Sequence, residues 1–392
     1  MSTPRFVIYA NDPWGLNYYS PQNNTANTAD GTYEGSALLT QEAVTGALET
    51  TTAMLVESPF THIIMGFFAI ANNDPNSPWY NANDLVFTWN GVPLTETNTP
   101  STWKDPNQPW GIAPNVADYL KQIAASGKSL IASMQQDADL ITIKNWGADN
   151  FYQAFSEQVL QPFGFSGLDL DMETSWSEYG DVLIDLSNTF GQNGCLVTHA
   201  PYGMLDCDAP FSMLSYYLCS ENGQPSTPIV GNTVIQSGGQ NVNSISWLNI
   251  QYYSGGDQGS ATETVQQYVL AANTAGSLNA GIAAPNYFCV AGFAMVIVDP
   301  QYELWNQFMT EDQRNNTPNG TIQCDPCNYT SNVYIQDTLN GLVQQYGRDE
   351  NGMAQFGGVF IYSYRYYTST QAGYSYQMSA WNSIAQTLGL IS

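Results

Sequence analysis

Three acidic residues stand at alternate positions in a short apolar stretch near the middle of the chain. They are Asp169, Asp171 and Glu173, and single apolar residues separate them. A period of two is typical of a β-strand, in which alternate side chains point to opposite faces. Carboxyl groups on one face raise one another's pKa, so one of them can stay protonated near neutral pH while a neighbour ionises. The spacing therefore indicates general acid chemistry.

A strand with one solvated polar face would show the same alternation. We favour a catalytic site because Phe165, Gly167 and the leucines on either side of Asp169 are typical of a short buried strand. Unpaired acids in a core are destabilising, so a chain that keeps three of them there is expected to use them.

Short apolar runs recur along the chain and alternate with helical patterns. This alternation is typical of βα units around a parallel sheet. Together with the acidic strand, seven further runs predict an α/β fold, a (β/α)8 TIM barrel, whose active sites lie at the C-terminal strand ends. Glu173 falls at such an end. The seven runs are residues 6–9, 63–68, 130–134, 196–199, 248–253, 280–283 and 359–362.

Helical periodicity lies between these runs, and two stretches are too long for a loop and a helix. Helices are expected at residues 116–125, 151–160, 182–190, 265–275 and 378–390. The long stretches, about 70–112 and about 290–330, are expected to be inserted loops on the catalytic face of one domain that spans residues 1–392.

The charge balance argues against two classes of partner. The chain has 34 acidic and 8 basic residues and a net charge of −26, which disfavours binding to nucleic acid or to an anionic membrane. A neutral sugar polymer fits such a surface, and an aromatic content of 13% suits stacking on sugar rings. No apolar run approaches the roughly 20 residues that span a bilayer.

The cysteines and histidines do not form a recognisable metal motif. Cys324 and Cys327 have metal or redox spacing, but no second pair lies nearby, and a local disulfide and free thiols both stay open. We expect no metal and no cofactor. Sequons at Asn319 and Asn328 favour an exported protein. The expectation is a secreted monomer, although no signal peptide is visible at the start of the sequence.

Residues 166–173 resemble the motif Asp-Gly-x-Asp-x-Asp-x-Glu of the family 18 glycoside hydrolases, which ends barrel strand four. Ser166 stands where the family usually has its first Asp, and the other four motif positions match. The resemblance implies that Glu173 is the proton donor. It implies that Asp171 orients and stabilises the acetamido group of the substrate, and that Asp169 tunes Asp171.

The sixth-strand and eighth-strand segments resemble hevamine-like plant and fungal chitinases of this family. Residues 249–253 correspond to a Gln-Phe-Tyr segment, which implies that Tyr253 hydrogen-bonds the acetamido carbonyl and that Gln251 points into the site. Residues 357–363 correspond to the eighth strand, where Tyr362 replaces the Trp that forms the floor of the −1 sugar site.

The resemblance extends over nearly the whole chain in family order. Residues 197–201 are similar to the fifth-strand segment and residues 281–285 to the seventh. Tyr9, in the first strand, and Trp176, just after the acidic motif, are the remaining residues expected to bind substrate.

The third strand departs from the family pattern. It ends Ser133-Met134-Gln135-Gln136, where the family has Ser-x-Gly-Gly. Glycine lets the backbone approach a substrate closely, so two glutamines would narrow or re-line the cleft. This departure bears on substrate preference more than on the chemistry.

The resemblance implies a retaining glycoside hydrolase that cleaves β-1,4 bonds of N-acetylglucosamine-containing glycans, chitin or chitooligosaccharides first, by substrate-assisted catalysis. Three alternatives stay open. The chain could be a catalytically impaired chitinase-like lectin or hydrolase inhibitor, an endo-β-N-acetylglucosaminidase acting on N-glycan cores, or a toxin component or scaffold built on this barrel.

Overall fold

The structure is a computed structural model of the chain. It describes residues 4–10, 19–20, 25–26, 41–70, 84–89, 92–94, 116–172, 176–201, 234–251, 289–295, 329–330, 332–346, 356–362, 378 and 381–392.

The strands are numbered here in chain order within these residues. They are β1 (Arg5–Ala10), β2 (Tyr19–Ser20), β3 (Thr25–Ala26), β4 (His62–Ile70), β5 (Phe87–Trp89), β6 (Val92–Pro93), β7 (Ser129–Met134), β8 (Gly167–Leu170), β9 (Leu196–His199), β10 (Val234–Ser237), β11 (Gln240–Asn243), β12 (Trp247–Gln251), β13 (Cys289–Met295), β14 (Tyr329–Thr330) and β15 (Phe356–Tyr362).

Eight of these strands close into a parallel barrel. Parallel pairs run in the order β1, β4, β7, β8, β9, β12, β13 and β15, and β15 pairs in parallel with β1 again. The sheet therefore has no free edge along this circuit, and the predicted (β/α)8 barrel is confirmed.

Helices cover the outside of the barrel. They are α1 (Gln41–Glu57), α2 (Val116–Ala125), α3 (Asp137–Trp146), α4 (Ala148–Phe155), α5 (Gln161–Phe163), α6 (Trp176–Gln192), α7 (Asn332–Tyr346) and α8 (residues 381–387), with a π-helical turn, Ser156–Leu160, between α4 and α5. In α2 the buried residues Val116, Leu120 and Ile123 recur at helical spacing and form one apolar stripe. Across the described part of the chain, no helix has the length and apolar character needed to cross a membrane.

Small strands extend the sheet beyond the circuit. Strands β5 and β6 form an antiparallel hairpin that pairs with the last residues of β4. This hairpin lies within the stretch 70–112 that we expected to be inserted. Strand β14 pairs with β13, and β2–β3 and β10–β11 form separate two-stranded sheets.

Most of the predicted strands coincide with barrel strands, but the prediction for the seventh strand is wrong. Residues 280–283 lie outside the described residues, and the sheet position between β12 and β15 belongs to β13. Gly292 of β13 packs closely against the neighbouring strand, since a Cβ there would lie 2.0 Å from the Phe360 ring. Only a glycine leaves room for that ring, and sequence periodicity does not report such a contact.

Alternation along the strands divides the apolar residues into two cores. The inner core, inside the barrel, includes Val7, Tyr9, Ile64, Ile131 and Phe360. The outer core, between strands and helices, includes the apolar residues that alternate with the acids, namely Leu168, Leu170 and Met172. The predicted division of residues 168–172 between two faces is therefore confirmed.

We expect Gly167→Ala to destabilise the protein. A Cβ at this position would lie 2.1 Å from the backbone oxygen of Leu196, so β8 and β9 would have to separate. Forcing an atom into a packed core typically costs about 1–3 kcal/mol or more. The free energy of unfolding, measured with denaturant, should fall by at least this amount.

Gly341→Ala is the matched control. Gly341 lies in α7, and nothing lies within 4 Å of a Cβ placed there. Alanine is favoured over glycine inside a helix, so the same change should raise stability by about 0.5–1 kcal/mol. Equal effects of the two substitutions would contradict the close approach at Gly167.

Candidate active site

Asp169 lies inside the barrel and is fully buried. Its Oδ2 accepts hydrogen bonds from the hydroxyls of Tyr9 at 3.0 Å and Ser133 at 2.7 Å. Its Oδ1 accepts from the Thr198 hydroxyl at 2.5 Å and from the Asn249 amide nitrogen at 3.3 Å. The four donors come from β1, β7, β9 and β12, so four barrel strands converge on one carboxyl group.

Two opposing effects set the charge state of this group. The pKa of Asp169 is raised from 3.8 to about 6, because burial raises it by more than the four side-chain hydrogen bonds lower it. Each of these bonds favours the ionised form, and removal from water disfavours it. The carboxyl group is therefore placed to change protonation in mildly acidic conditions.

Asp171 follows directly after the end of β8 and is also buried. Its backbone N–H donates to the Met134 carbonyl, which continues the pairing with β7 beyond the strand. The amide nitrogen of Gln251 donates to Asp171 Oδ1 at 2.8 Å and to the Ala200 carbonyl at 2.8 Å. Gln251 thereby ties Asp171 to the ends of β9 and β12.

Three other predicted site residues are described only in part or not at all. Glu173 and Tyr253 lie outside the described residues, and their roles stay predictions. Trp176 begins α6, and only its backbone is described.

Tyr9 and Tyr362 pair in register on β1 and β15. Their ring centroids are 6.3 Å apart. Tyr9 is 2% exposed and directs its hydroxyl to Asp169, whereas Tyr362 is half-buried near the C-terminal end of its strand. The structure therefore places Tyr9 against an acid of the site, and contact of either ring with substrate stays a prediction.

Three partners of Asp169 were not predicted from the sequence, namely Ser133, Thr198 and Asn249. A signal was present, because each is a polar residue inside an apolar strand run. Ser133 and Thr198 are the direct neighbours of Asp169 in the register of β7, β8 and β9. Inward-facing polar residues on adjacent strands could have been recognised once the strand order was assumed.

The two histidines lie away from the acid pair. His199 faces α6 and lies 2.8 Å from the Ser187 hydroxyl through Nε2, and His62 packs against the Trp247 ring. Burial lowers the pKa of each to about 3, so both are neutral at physiological pH. Among the described residues, no group of three or more His, Cys, Asp or Glu side chains could hold a metal ion.

The chain resembles known proteins in its fold. No protein-family model and no curated protein sequence matches the chain. Many solved structures that resemble it with high probability are family 18 chitinases and related family 18 proteins.

Three of the solved structures that resemble the chain illustrate the range of their described functions. The family 18 chitinase of Pseudoalteromonas aurantia aligns over 98% of this chain and 99% of its own, at 13% identity and a TM-score of 0.50. A chitinase of Chromobacterium violaceum aligns over 98% and 99%, at 11% identity and a TM-score of 0.49. A xylanase and α-amylase inhibitor protein of Scadoxus multiflorus also aligns over 98% and 99%, at 11% identity and a TM-score of 0.46. At 13% identity, the likeness to the Pseudoalteromonas aurantia structure shows the fold alone, which is the (β/α)8 barrel.

We expect Asp169→Asn to change how stability depends on pH. Folding raises the pKa of Asp169, so between about pH 4 and pH 6 the folded state binds more protons than the unfolded state. Stability from this group is therefore lost as pH rises through that window, by on the order of 3 kcal/mol in total. Histidines 62 and 199 titrate in an overlapping range with the opposite sign, because their folded pKa values are lowered.

The measurement is the difference in unfolding free energy between the wild type and Asp169→Asn, in which the histidine contributions cancel. This difference should move in favour of the variant as pH rises from about 4 to about 7. Asp185→Asn, the same change at an exposed position of α6, controls for the substitution itself. A difference that does not vary with pH would show that Asp169 does not titrate in this range.

Proposed function

We propose that this protein is a retaining glycoside hydrolase that cleaves β-1,4 bonds of N-acetylglucosamine-containing glycans by substrate-assisted catalysis. The observation that carries the proposal is the buried pair Asp169 and Asp171 at the C-terminal end of β8, where the barrel fold places active sites. The acidic motif continues to Glu173 in the sequence, and the solved structures with this fold include family 18 chitinases.

In the proposed mechanism the substrate supplies the nucleophile. Glu173 donates a proton to the glycosidic oxygen while the 2-acetamido oxygen of the −1 sugar attacks the anomeric carbon. The bond to the leaving sugar breaks and an oxazolinium ion forms. Glu173 then accepts a proton from the water that opens this ring, so the configuration at the anomeric carbon is retained.

Asp171 is the group that would stabilise the positive charge of the oxazolinium ion. Gln251 holds Asp171 Oδ1 at 2.8 Å, which leaves the carboxylate little freedom to reorganise during the reaction. Groups that are already oriented stabilise developing charge more effectively than mobile ones. Tyr253 would hold the acetamido carbonyl, and Tyr362 would form the floor beneath the sugar.

Asp169 would act on Asp171 from within the barrel. The two residues are two positions apart on the same face, and their surroundings differ, since Asp169 has four side-chain donors and is fully buried. The charge state of Asp169 would therefore change the electrostatic environment of Asp171.

The second candidate function is a lectin or a hydrolase inhibitor that keeps the barrel without turnover. The observation in its favour is the end of β7, where half-buried Gln135 and exposed Gln136 follow Met134. Side chains at this position would re-line the cleft. Cleavage of the chitobiose core of N-glycans is the alternative within the enzyme class.

The proposed function extends to the location and the oligomeric state of the protein. We propose a secreted monomer that acts on an uncharged glycan outside the cell, supported by the sequons at Asn319 and Asn328 and by the net charge of −26.

We expect Glu173→Gln to abolish hydrolysis of fluorogenic chitooligosaccharides while glycan affinity stays near that of the wild type. Glutamine keeps the shape of the side chain and loses the transferable proton, and general acid catalysis contributes about 10²- to 10⁴-fold. Product release and binding are measured on the same preparation.

The matched control is Glu157→Gln, at an exposed position on the outer helical layer, which should retain full activity. Wild-type turnover in Glu173→Gln would refute the assignment of the proton donor. A wild-type protein that binds chitooligosaccharides and releases no product would establish the lectin instead.

We also expect an absolute requirement for the N-acetyl group of the −1 sugar, because its oxygen is the proposed nucleophile. Oligosaccharides deacetylated at this position should be inert, and a thiazoline analogue of the oxazolinium ion should inhibit competitively. Parallel assays with chitooligosaccharides and a chitobiose-core glycopeptide decide the substrate. Efficient cleavage of cellulose or of fully deacetylated chitosan would exclude the mechanism.

A further inference from the structure

Asn249 links the buried acid of the site to an indole ring deeper in the barrel. Its amide nitrogen lies 3.3 Å from Asp169 Oδ1 and 3.3 Å from the Tyr9 hydroxyl. Its amide oxygen accepts a hydrogen bond from the indole N–H of Trp247 at 2.9 Å. Asn249 is fully buried, so these partners rather than water satisfy the amide.

The orientation of the Asn249 side-chain amide decides whether Asp169 faces a hydrogen-bond donor or an acceptor. The hydroxyls of Tyr9, Ser133 and Thr198 can each rotate to donate or to accept, and an asparagine amide can turn over to exchange its nitrogen and oxygen. An indole N–H can only donate. If Asn249 turned over, its NH₂ group would face that N–H, and both donors would be buried without an acceptor, which is costly.

We propose that Trp247 and Asn249 are positioning residues that fix the donors around Asp169 in one orientation. The indole N–H of Trp247 holds the oxygen of Asn249, which keeps its nitrogen directed at Asp169 and Tyr9. Because the Tyr9 oxygen then accepts from Asn249, the Tyr9 proton is directed to Asp169 Oδ2. The indole N–H of Trp247, which can only donate, thus sets the direction of every hydrogen bond in the series from Trp247 to Asp169.

Contacts on its ring hold Trp247 itself in place. The guanidinium carbon of Arg5 lies 4.3 Å from the centroid of the Trp247 ring, a cation–π contact, and His62 packs edge-on at 4.8 Å. Trp247 is 1% exposed. Trp247, the first donor of this hydrogen-bond series, is therefore held by residues of the barrel strands β1, β4 and β12.

The ionisable groups around Asp169 within the described residues are few. Tyr9 on β1 contacts it directly, Asp171 is two residues along the same face, and Tyr362 on β15 packs near Tyr9. Arg5 and His62 contact the far partner, Trp247. The side chains that meet Asp169 from β7, β9 and β12 do not ionise.

The first test is Trp247→Phe, which keeps a ring for Arg5 and His62 and removes the N–H. The pKa of Asp169 is measured from its carboxyl carbon-13 resonance during a pH titration. Without the indole donor Asn249 can turn its oxygen towards Asp169, which favours the protonated acid, and the pKa should rise by about one unit. Trp89→Phe is the control, since Trp89 is equally buried and donates its N–H to the Gly66 carbonyl at 2.9 Å.

A double variant separates positioning from a general loss of stability. Asn249→Leu should raise the pKa of Asp169 by about as much as Trp247→Phe, and the double variant should show no additional shift, because Trp247 acts only through Asn249. An unchanged pKa in folded Trp247→Phe, or a double variant whose shift is the sum of the two single shifts, would overturn the inference.

The rate measurement alone rests on the proposed function. If the protein cleaves chitooligosaccharides, the acidic limb of its pH–rate profile should move with the pKa of Asp169 in Trp247→Phe and stay in place in Trp89→Phe. If the protein has no hydrolase activity, the proposed function fails, and the carboxyl titration still decides the role of Trp247 and Asn249.

Discussion

A carboxyl group buried inside a closed barrel is the constraint on which the site depends. An ionised carboxylate without partners is very costly in an apolar interior, so Asp169 requires donors from its surroundings. It has four, one each from β1, β7, β9 and β12. These strands must keep their register for the acid to be satisfied, and the barrel and the site are therefore stabilised together.

Closure of the barrel brings these donors together. Ser133 and Thr198 flank Asp169 because the three are neighbours in the parallel register of β7, β8 and β9. Tyr9 and Asn249 reach the same carboxyl group from across the interior, 160 and 80 positions away in the chain. A change of register by one residue would direct Asp169 towards the outer helices and an apolar side chain towards the site.

The two acids of the described site are held in different ways, and this difference suits the proposed chemistry. Asp169 is surrounded by polar side chains of the barrel interior, whereas Asp171 lies just past the strand and is held by Gln251. In the proposed mechanism the outer acid faces the reacting sugar and the inner acid sets its electrostatic environment. This mechanism requires no carboxylate nucleophile from the protein, since the acetamido group of the substrate takes that role.

The sequence alone predicted the barrel, most of its strands and the facing of residues 168–172, because period-two and helical patterns are local properties of the chain. The period of two also singled out the acidic strand, and its resemblance to a known motif implied separate roles for Asp169, Asp171 and Glu173. The tertiary structure decided which partners each acid has. Asn249 and Trp247 follow from strands that meet across the barrel, and a local pattern carries no information about such distant contacts. The seventh strand was misplaced for the same reason. Residues 280–283 and β13 both contain glycine and small apolar residues, and the pairing of β13 with β12 and β15 is a distant contact that the local pattern does not show.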